Sequence, residues 1–321
     1  NEYVDEAVEL SKLSGRPVKV TWTREDSIRR DFFREGGFNR IRGAVDSQGK
    51  LVGWEENTFG VAPEGKNSRF SGPNPRAFPL SVLGNVRASL IPYKMDTPVG
   101  PWRAPYSNVH AFSSQCFIHE LATAAGRDHL DFLLEMFGNP RWLKQGDIRS
   151  LNTERAVGVI KRVAQEGSWG KPMGLREGQG LAFYFCHAAH VAELAEVSVD
   201  SANRVTLRKV TVVADVGPII NRSGAVSQIQ GAVIDGYSAM VGQKITMENG
   251  VIAETNLDSY PVLRIDAAPE VDVFFIESDY APTGLGEPAL PPLAPAVANA
   301  IFSATGRRIR KMPLSELGYS V

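Results

Sequence analysis

The segment with the clearest chemical potential is residues 283–301, in which one carboxylate, Glu287, lies between glycines and prolines. Gly284 and Gly286 precede the acid, and glycine permits close approach of the backbone to a ligand. Prolines follow it at positions 288, 291, 292 and 295 and stiffen the backbone, so we expect the acid to be held in place. A charge fixed at the start of an apolar helix is costly unless it has a function. On spacing alone, a solvent-exposed glutamate near a helix N-terminus is an equally open interpretation.

A second candidate is the loop V-G-P-W-R-A-P at residues 99–105. Arg103 follows Trp102 there, just before a predicted helix. A guanidinium fork can hold a planar heterocycle or a phosphate through paired hydrogen bonds. The alternative is a loop arginine that packs on aromatic surface or forms an ion pair.

A third candidate runs from Asp215 through Asn221 to the sequence S-Q-I-Q-G at residues 227–231. The pattern predicts a strand end, a polar loop and a helix that begins with amide side chains. Glutamine both donates and accepts, which suits the amide edge of a pterin or nucleobase, and helix N-termini receive phosphate. Capping of the helix by polar side chains is the simpler interpretation of the bare pattern.

The segment C-H-A-A-H at residues 186–190 brings two histidines close together in sequence. On a strand, side chains three residues apart point to opposite faces, so lining of a loop or substrate pocket is favoured over metal ligation. Cys116 and Cys186 are too few for an iron–sulfur cluster, which is typically held by four thiolates. We therefore expect buried, reduced thiols, and any electron-transfer centre on another chain.

The elements that position these groups follow from hydrophobic periodicity and turn signals. A hairpin is predicted from residues 39–45 and 50–59, and residues 60–92 are predicted to cross a surface without regular structure. Helices are predicted at residues 2–14, 108–126, 130–137, 154–165 and 223–240, with an apolar helix after the last prolines. Strands are predicted at residues 18–22, 181–185, 191–199, 205–213 and 271–277. Because helices and strands alternate without a repeating unit, the fold class is α+β, divided into residues 1–150 and 151–321.

Composition narrows the classes of function. The net charge is −1 and 43% of residues are apolar, which argues against a nucleic-acid partner and an anionic membrane surface. No apolar run approaches the ~20 residues of a transmembrane helix. Walker, HExxH, GxSxG and helix-opening GxGxxG motifs do not occur in the sequence. The chain begins with Asn1 rather than methionine, which suggests a fragment, a processed chain or a split subunit.

Taken together, the order and spacing of these segments resemble the molybdenum-binding subunit of the xanthine oxidase family. The closest likeness is to the branch of isoquinoline 1-oxidoreductase β subunits and bacterial aldehyde dehydrogenases. The resemblance covers nearly the whole chain, and it matches about the C-terminal half of full-length members. It rests on the segment that begins E-Y-V-D-E-A-V-E-L at residues 2–26, G-P-W-R at 100–103, A-E-V-S-V at 195–199, Q-I-Q-G at 228–231, Y-P-V-L-R at 260–264, the segment that begins G-L-G-E-P at 284–301 and A-T-G-R-R-I-R at 304–310.

The resemblance implies molybdenum-cofactor-binding domains built from mixed sheets with packed helices. Residues 1–150 would be the C-terminal part of the first such domain, and residues 151–321 would be the second. Glu287 would be the catalytic general base, and no protein side chain would ligate the metal. The residues near the pterin would be Gly100, Trp102, Arg103, Gln228, Gly231 and Gly286.

The implied cofactor is molybdenum–molybdopterin cytosine dinucleotide, and the implied reaction oxidises an aldehyde to a carboxylic acid with oxygen from water. Hydroxylation of an N-heteroaromatic compound beside its nitrogen, and a catalytically incomplete cofactor-binding module, are the alternatives. The implied partners are the N-terminal half of the molybdenum subunit, a small subunit with [2Fe-2S] clusters, and a cytochrome c acceptor. The chain alone would be an incomplete enzyme. Both bacterial cytoplasm and periplasm are open, with a slight preference for the periplasm.

Overall fold

The computed structural model describes residues 2–61, 72–95 and 97–321 of the chain. The helices are α1 (Glu2–Ser14), α2 (Arg24–Arg30), α3 (Ser107–Ala124), α4 (His129–Phe137), α5 (Thr153–Glu166), α6 (Arg222–Gly242) and α7 (Leu293–Thr305). The strands are β1 (Gly37–Val45), β2 (Leu51–Val61), β3 (Val86–Tyr93), β4 (Glu177–Cys186), β5 (Ala189–Val199), β6 (Val205–Asp215), β7 (Met247–Glu248), β8 (Val251–Ile252) and β9 (Glu270–Phe275). Among these elements, none of the helices has the length and apolar character needed to cross a membrane.

The first sheet has the order β1-β2-β3. Strands β1 and β2 are antiparallel, which confirms the predicted hairpin. Strand β3 pairs with β2 in parallel, so the prediction of an irregular surface segment at residues 60–92 was wrong for this part. The strand lies at the sheet edge, where Pro92 is tolerated, and it is largely solvent-exposed, so its sequence lacks a clear apolar alternation. Residues 62–71 of that prediction lie outside the described residues.

The predicted strand at residues 18–22 was also wrong. In the part of the chain that the structure describes, residues 18–22 pair with no strand and lead directly into α2, which Thr23 and Asp26 start with a reciprocal capping box. Trp22 packs back on α1 instead, because its indole N–H donates to Glu6 at 2.9 Å. Trp22 therefore contacts a helix and not a sheet.

The second sheet has the order β4-β5-β6-β9 and is antiparallel except for the pair β6–β9. Helices α6 and α7 pack on one face and α5 packs on the other. Two glycines of β4 allow the backbone of α7 to approach closely. A Cβ on Gly180 would lie 2.1 Å from the carbonyl oxygen of Ala296, and one on Gly178 would lie 2.4 Å from that of Ala300. This contact fixes α7, and with it the segment that carries Glu287.

The mixed sheets and packed helices confirm the α+β class. The predicted helices all form, and the ends predicted for α1 and α3–α6 agree within two residues. One apolar cluster joins Trp54 of β2 and residues of α3 and α4 to Val159 of α5 and Phe183 of β4. Packing therefore continues across residue 150, and the division into two domains there stays a prediction.

Candidate functional site

Glu287 lies in the connection between β9 and α7, where three parts of the chain meet. Its Oε1 accepts a hydrogen bond from the backbone N–H of Ala104 at 3.0 Å. Its Oε2 lies 2.8 Å from Nε2 of His187. The side chain is 35% exposed. The carboxylate is therefore held from two sides while it still opens to the surface.

His187 belongs to the tight turn between β4 and β5. Cys186 and Ala189 are paired across the turn, and the two turn residues, His187 and Ala188, have φ values of 51° and 65°. This is the backbone of a two-residue hairpin turn, which normally takes glycine or asparagine. The N–H of Gly284 donates to the carbonyl of His187 at 3.2 Å, and a Cβ on Gly284 would lie 2.9 Å from Cβ of His187. Glycine at 284 thus lets the Glu287 segment contact the turn.

The loop before α3 presents the N–H of Ala104. Gly100 is buried, and a Cβ there would lie 2.6 Å from Cβ of Phe32. Its N–H donates to the carbonyl of Phe33 at 2.9 Å. Trp102 packs, partly buried, against the core between the second sheet and helices α6 and α7. These contacts anchor both sides of the loop.

Arg103 joins this loop to two other parts of the site. Its guanidinium donates to the carbonyl of Gly286, with 2.8 Å from Nε, and to the carbonyl of Gln228, with 3.2 Å from Nη2. Its Nη1 lies 3.5 Å from Asp235 of α6. The fork is thus occupied by backbone carbonyls and one carboxylate, which matches the ion-pair alternative. Direct contact of Arg103 with a pterin stays a prediction.

Gln228, Gly231 and Gly286 form an exposed ledge beside Glu287. A Cβ on Gly286 would lie 3.6 Å from Oε1 of Gln228, and one on Gly231 would lie 3.9 Å from Nη1 of Arg103. The two glycines therefore leave space that a larger residue would fill, and the amide of Gln228 borders that space. The start of α6 is capped by Asn221, whose Oδ1 accepts from the N–H of Gly224 at 2.9 Å, as the capping interpretation predicted.

A buried ion pair between α5 and the end of β6 stabilises the site. Arg155 of α5 donates to both carboxylate oxygens of Asp215, at 2.9 and 2.7 Å. Burial opposes the charged form, yet Arg155 and Ser278 hold the pKa of Asp215 below its usual value. The backbone carbonyl of the next residue, Val216, accepts a hydrogen bond from the N–H of Thr283 at 3.0 Å. The pair therefore fixes the end of β6 against the connection that carries Glu287.

The two histidines of residues 186–190 have different environments. His190 is fully buried, and its Nε2 accepts from the N–H of Asn152 at 3.1 Å. Burial, with Arg155 nearby, lowers the pKa of His190 to about 3, so it is a neutral core residue. Only His187 reaches Glu287. Within residues 2–61, 72–95 and 97–321, no three His, Cys, Asp or Glu side chains are grouped to bind a metal ion.

Both cysteines are free and buried, as predicted. Burial raises the pKa of the Cys116 thiol well above its usual value and that of Cys186 to about 12. Cys186 nevertheless adjoins the site, because its Sγ lies 3.0 Å from Nδ1 of His187. Sequence reasoning missed both this contact and the contact between His187 and Glu287. The only signal for them was the expectation that these histidines line a pocket.

Comparison with known proteins shows which proteins this chain is similar to. Residues 143–269 match a molybdopterin cofactor-binding domain. The isoquinoline 1-oxidoreductase subunit beta of Brevundimonas diminuta is 25% identical, over 96% of this chain and 40% of that protein. The chain is a relative of the molybdenum-binding subunits of the xanthine oxidase family. A membrane-bound aldehyde dehydrogenase (pyrroloquinoline-quinone) of Gluconacetobacter polyoxogenes is 30% identical, over 98% of this chain and 44% of that protein. The chain thus spans less than half of these two relatives.

Two solved structures share the fold of this chain. Quinoline 2-oxidoreductase from Pseudomonas putida 86 aligns with a TM-score of 0.77 at 11% identity, covering 95% of this chain and 64% of that chain. An aldehyde oxidoreductase from Desulfovibrio desulfuricans aligns with a TM-score of 0.76 at 13% identity, covering 95% and 51%. These alignments confirm the predicted fold of the molybdenum-cofactor-binding type.

Proposed function

We propose that this chain supplies the general base and one wall of the cofactor pocket in a molybdenum-dependent oxidoreductase that converts an aldehyde to a carboxylic acid. The inserted oxygen comes from water. The observation that supports this most directly is the carboxylate of Glu287, which the N–H of Ala104 and the ring of His187 hold next to Gly286 of the open ledge. A fixed, partly exposed acid beside a ledge in which two of the three residues are glycines suits proton transfer to a bound reactant.

The residues around the ledge fit a pterin. The Gln228 amide offers both a donor and an acceptor, and Gly231 and Gly286 leave room for a flat ring system. Gly100, Trp102 and Arg103 shape the loop behind the ledge. When bound, the molybdenum–pterin cofactor supplies the redox chemistry. We propose the cytosine dinucleotide form, on the strength of the family resemblance.

Glu287 would act on the proton. Each carboxylate oxygen has two lone pairs, so Oε1 and Oε2 each keep one free direction after their contacts with Ala104 and His187. Glu287 accepts the proton that the water-derived oxygen loses as it adds to the electron-poor carbon of the substrate. A general base of this kind contributes roughly 10²–10⁴-fold to the rate.

The proposal is tested with the assembled enzyme in ¹⁸O-labelled water. Molybdenum should be present after purification, and the carboxylic acid formed from an aldehyde should carry the label. A product without label, or an active enzyme without molybdenum, would contradict the proposal. One relative carries pyrroloquinoline-quinone in its name, so quinone content is measured on the same sample.

Two alternatives remain for the same site. Hydroxylation of an N-heteroaromatic compound beside nitrogen is favoured by the name of the isoquinoline relative, and it needs the same base. Parallel assays with aldehydes and N-heterocycles would separate the two substrate classes. A cofactor-binding module without catalysis would instead retain molybdenum and show no turnover with either class.

The proposed partners complete the enzyme. They are the N-terminal half of a molybdenum subunit, a small [2Fe-2S] subunit that receives the electrons, and a cytochrome c beyond it. Co-purification with a tagged copy of this chain, followed by iron analysis, tests the second of these. Iron in a complex that contains no other chain would contradict that part of the proposal.

A further inference from the structure

The ring of His187 connects a buried thiol to the candidate base. Its Nδ1 lies 3.0 Å from Sγ of Cys186, and its Nε2 lies 2.8 Å from Oε2 of Glu287. Cys186 is buried, whereas the imidazole is 46% exposed. The three groups therefore form a chain of hydrogen bonds that runs from the core to the surface of the site.

The protonation of this chain follows from the thiol. Burial raises the pKa of Cys186 to about 12, so its sulfur carries a hydrogen at neutral pH. In the neutral imidazole, Nδ1 is the atom that accepts from the thiol, because the carboxylate of Glu287 beside Nε2 can only accept. The remaining ring proton lies on Nε2 and is donated to Oε2 of Glu287. Cys186 thus selects one tautomer, in the way that a hydrogen bond to one ring nitrogen generally does.

We propose that His187 is a positioning residue for Glu287, held by Cys186 as the tautomer that carries its proton on Nε2. Together with the N–H of Ala104 on Oε1, this donor fixes the orientation of the carboxylate. Its use in catalysis rests on the proposed function above, but the tautomer and the hydrogen bonds do not.

The backbone of the turn supports this role. His187 and Ala188 both adopt positive φ, a strained conformation for residues other than glycine. Histidine and asparagine tolerate positive φ better than most residues. Gly284 then packs against Cβ of His187, so the ring is held at its base as well as at both nitrogens. A strained turn that presents one ring to one carboxylate fits a functional constraint.

The first test is spectroscopic and needs no cofactor. The chain has five histidines, so ¹⁵N-histidine labelling of the full chain gives few signals, and His187→Asn identifies those of His187. We expect a protonated Nε2 and an unprotonated, hydrogen-bonded Nδ1 at pH 7.5. The Nδ1 signal should shift in Cys186→Ala and stay close to its position in Cys186→Ser. A proton on Nδ1, averaged tautomers, or an Nδ1 signal unmoved by Cys186→Ala would overturn the proposal.

The second test uses the assembled enzyme. His187→Gln keeps an amide donor near the position of Nε2, whereas His187→Asn keeps the tolerance of positive φ and loses that donor. We expect His187→Asn to lower kcat by about 10- to 100-fold at unchanged KM, since small displacements of a catalytic group are costly, and His187→Gln to restore most of it. Equal losses in both variants would reduce His187 to a structural residue. If the assembled enzyme shows no turnover even without a substitution, the proposed function is refuted. The spectroscopic test of the His187 tautomer is unaffected by that result.

Discussion

Arg103 should act as a clamp that docks the Glu287 segment, and Arg103→Met removes the clamp while keeping an aliphatic side chain. The guanidinium donates to two carbonyls, those of Gly286 and Gln228. Hydrogen bonds from a charged donor contribute roughly 1.5–3 kcal/mol each. Because both acceptor residues are exposed and water can replace the donor, we expect the lower end, about 2–3 kcal/mol in total.

Hydrogen exchange measures this local effect. The N–H of Ala104 donates to Glu287, and it is released when the segment undocks. Since about 1.4 kcal/mol corresponds to tenfold, a loss of 2–3 kcal/mol should speed exchange of the Ala104 amide by about 30- to 140-fold. Molybdenum retention in the assembled enzyme should fall as well, because the ledge loses its support.

Arg222→Met is the matched control. Arg222 begins α6, and its guanidinium lies 5.6 Å from the ring centre of Phe275, away from the carbonyls that Arg103 holds. This change should cost about 1 kcal/mol or less and leave exchange at Ala104 unaltered. If Arg103→Met also left the Ala104 amide as protected as in the original chain, the clamp would be refuted. Unchanged molybdenum content would remove Arg103 from the cofactor pocket.

Three further changes test the framework of the site. Asp215→Asn should lower the free energy of unfolding by about 3–5 kcal/mol in urea titrations, because it leaves the buried Arg155 unpaired, whereas Asp272→Asn in a more exposed pair should cost about 1 kcal/mol or less. Burial raises the pKa of Glu193 well above its usual value. Its contribution to the free energy of unfolding is therefore present at pH 4.5 and is lost as the pH rises through the folded pKa. Glu193→Gln should be more stable than the original chain at pH 8 and not at pH 4.5. Gly180→Ala should cost about 3 kcal/mol or more because its Cβ meets the backbone of α7, while Gly158→Ala, whose Cβ has ordinary contacts, should be neutral or stabilising by up to about 1 kcal/mol in the same titrations.

Local patterns in the sequence were sufficient to predict most of the helices and strands. Helix α5 has an apolar face at helical spacing and a capping residue, Asn152, so its bounds could be predicted from neighbouring residues alone. The segments at residues 18–22 and 86–93 could not, because strand formation depends on a partner that local sequence does not reveal. Residues 18–22 have the pattern of a strand but form the connection between α1 and α2. Strand β3 forms at an exposed sheet edge although its sequence lacks a strand pattern, so it was not predicted.

The candidate site likewise combines features that local sequence predicts with contacts that only the packed fold creates. The glycines and prolines around Glu287 predicted a fixed acid, because they restrict the backbone locally. The residues that contact the Glu287 carboxylate are Ala104 and His187, which are 183 and 100 positions away in the chain. The pair of Arg155 and Asp215 is likewise a product of how α5 packs on β6. Contacts of this kind depend on the packed fold, and only the family resemblance related these segments beforehand.

In the proposed mechanism, Glu287 accepts the proton in a molybdenum-dependent oxidation. The most direct measurement compares kcat and molybdenum content of the assembled enzyme with Glu287→Gln and with Glu277→Gln, an exposed acid ten residues earlier in the same connection. We expect full molybdenum content in both variants, a loss of about 100-fold or more in kcat for Glu287→Gln, and near-normal kcat for Glu277→Gln. Near-normal turnover by Glu287→Gln with intact molybdenum would contradict it.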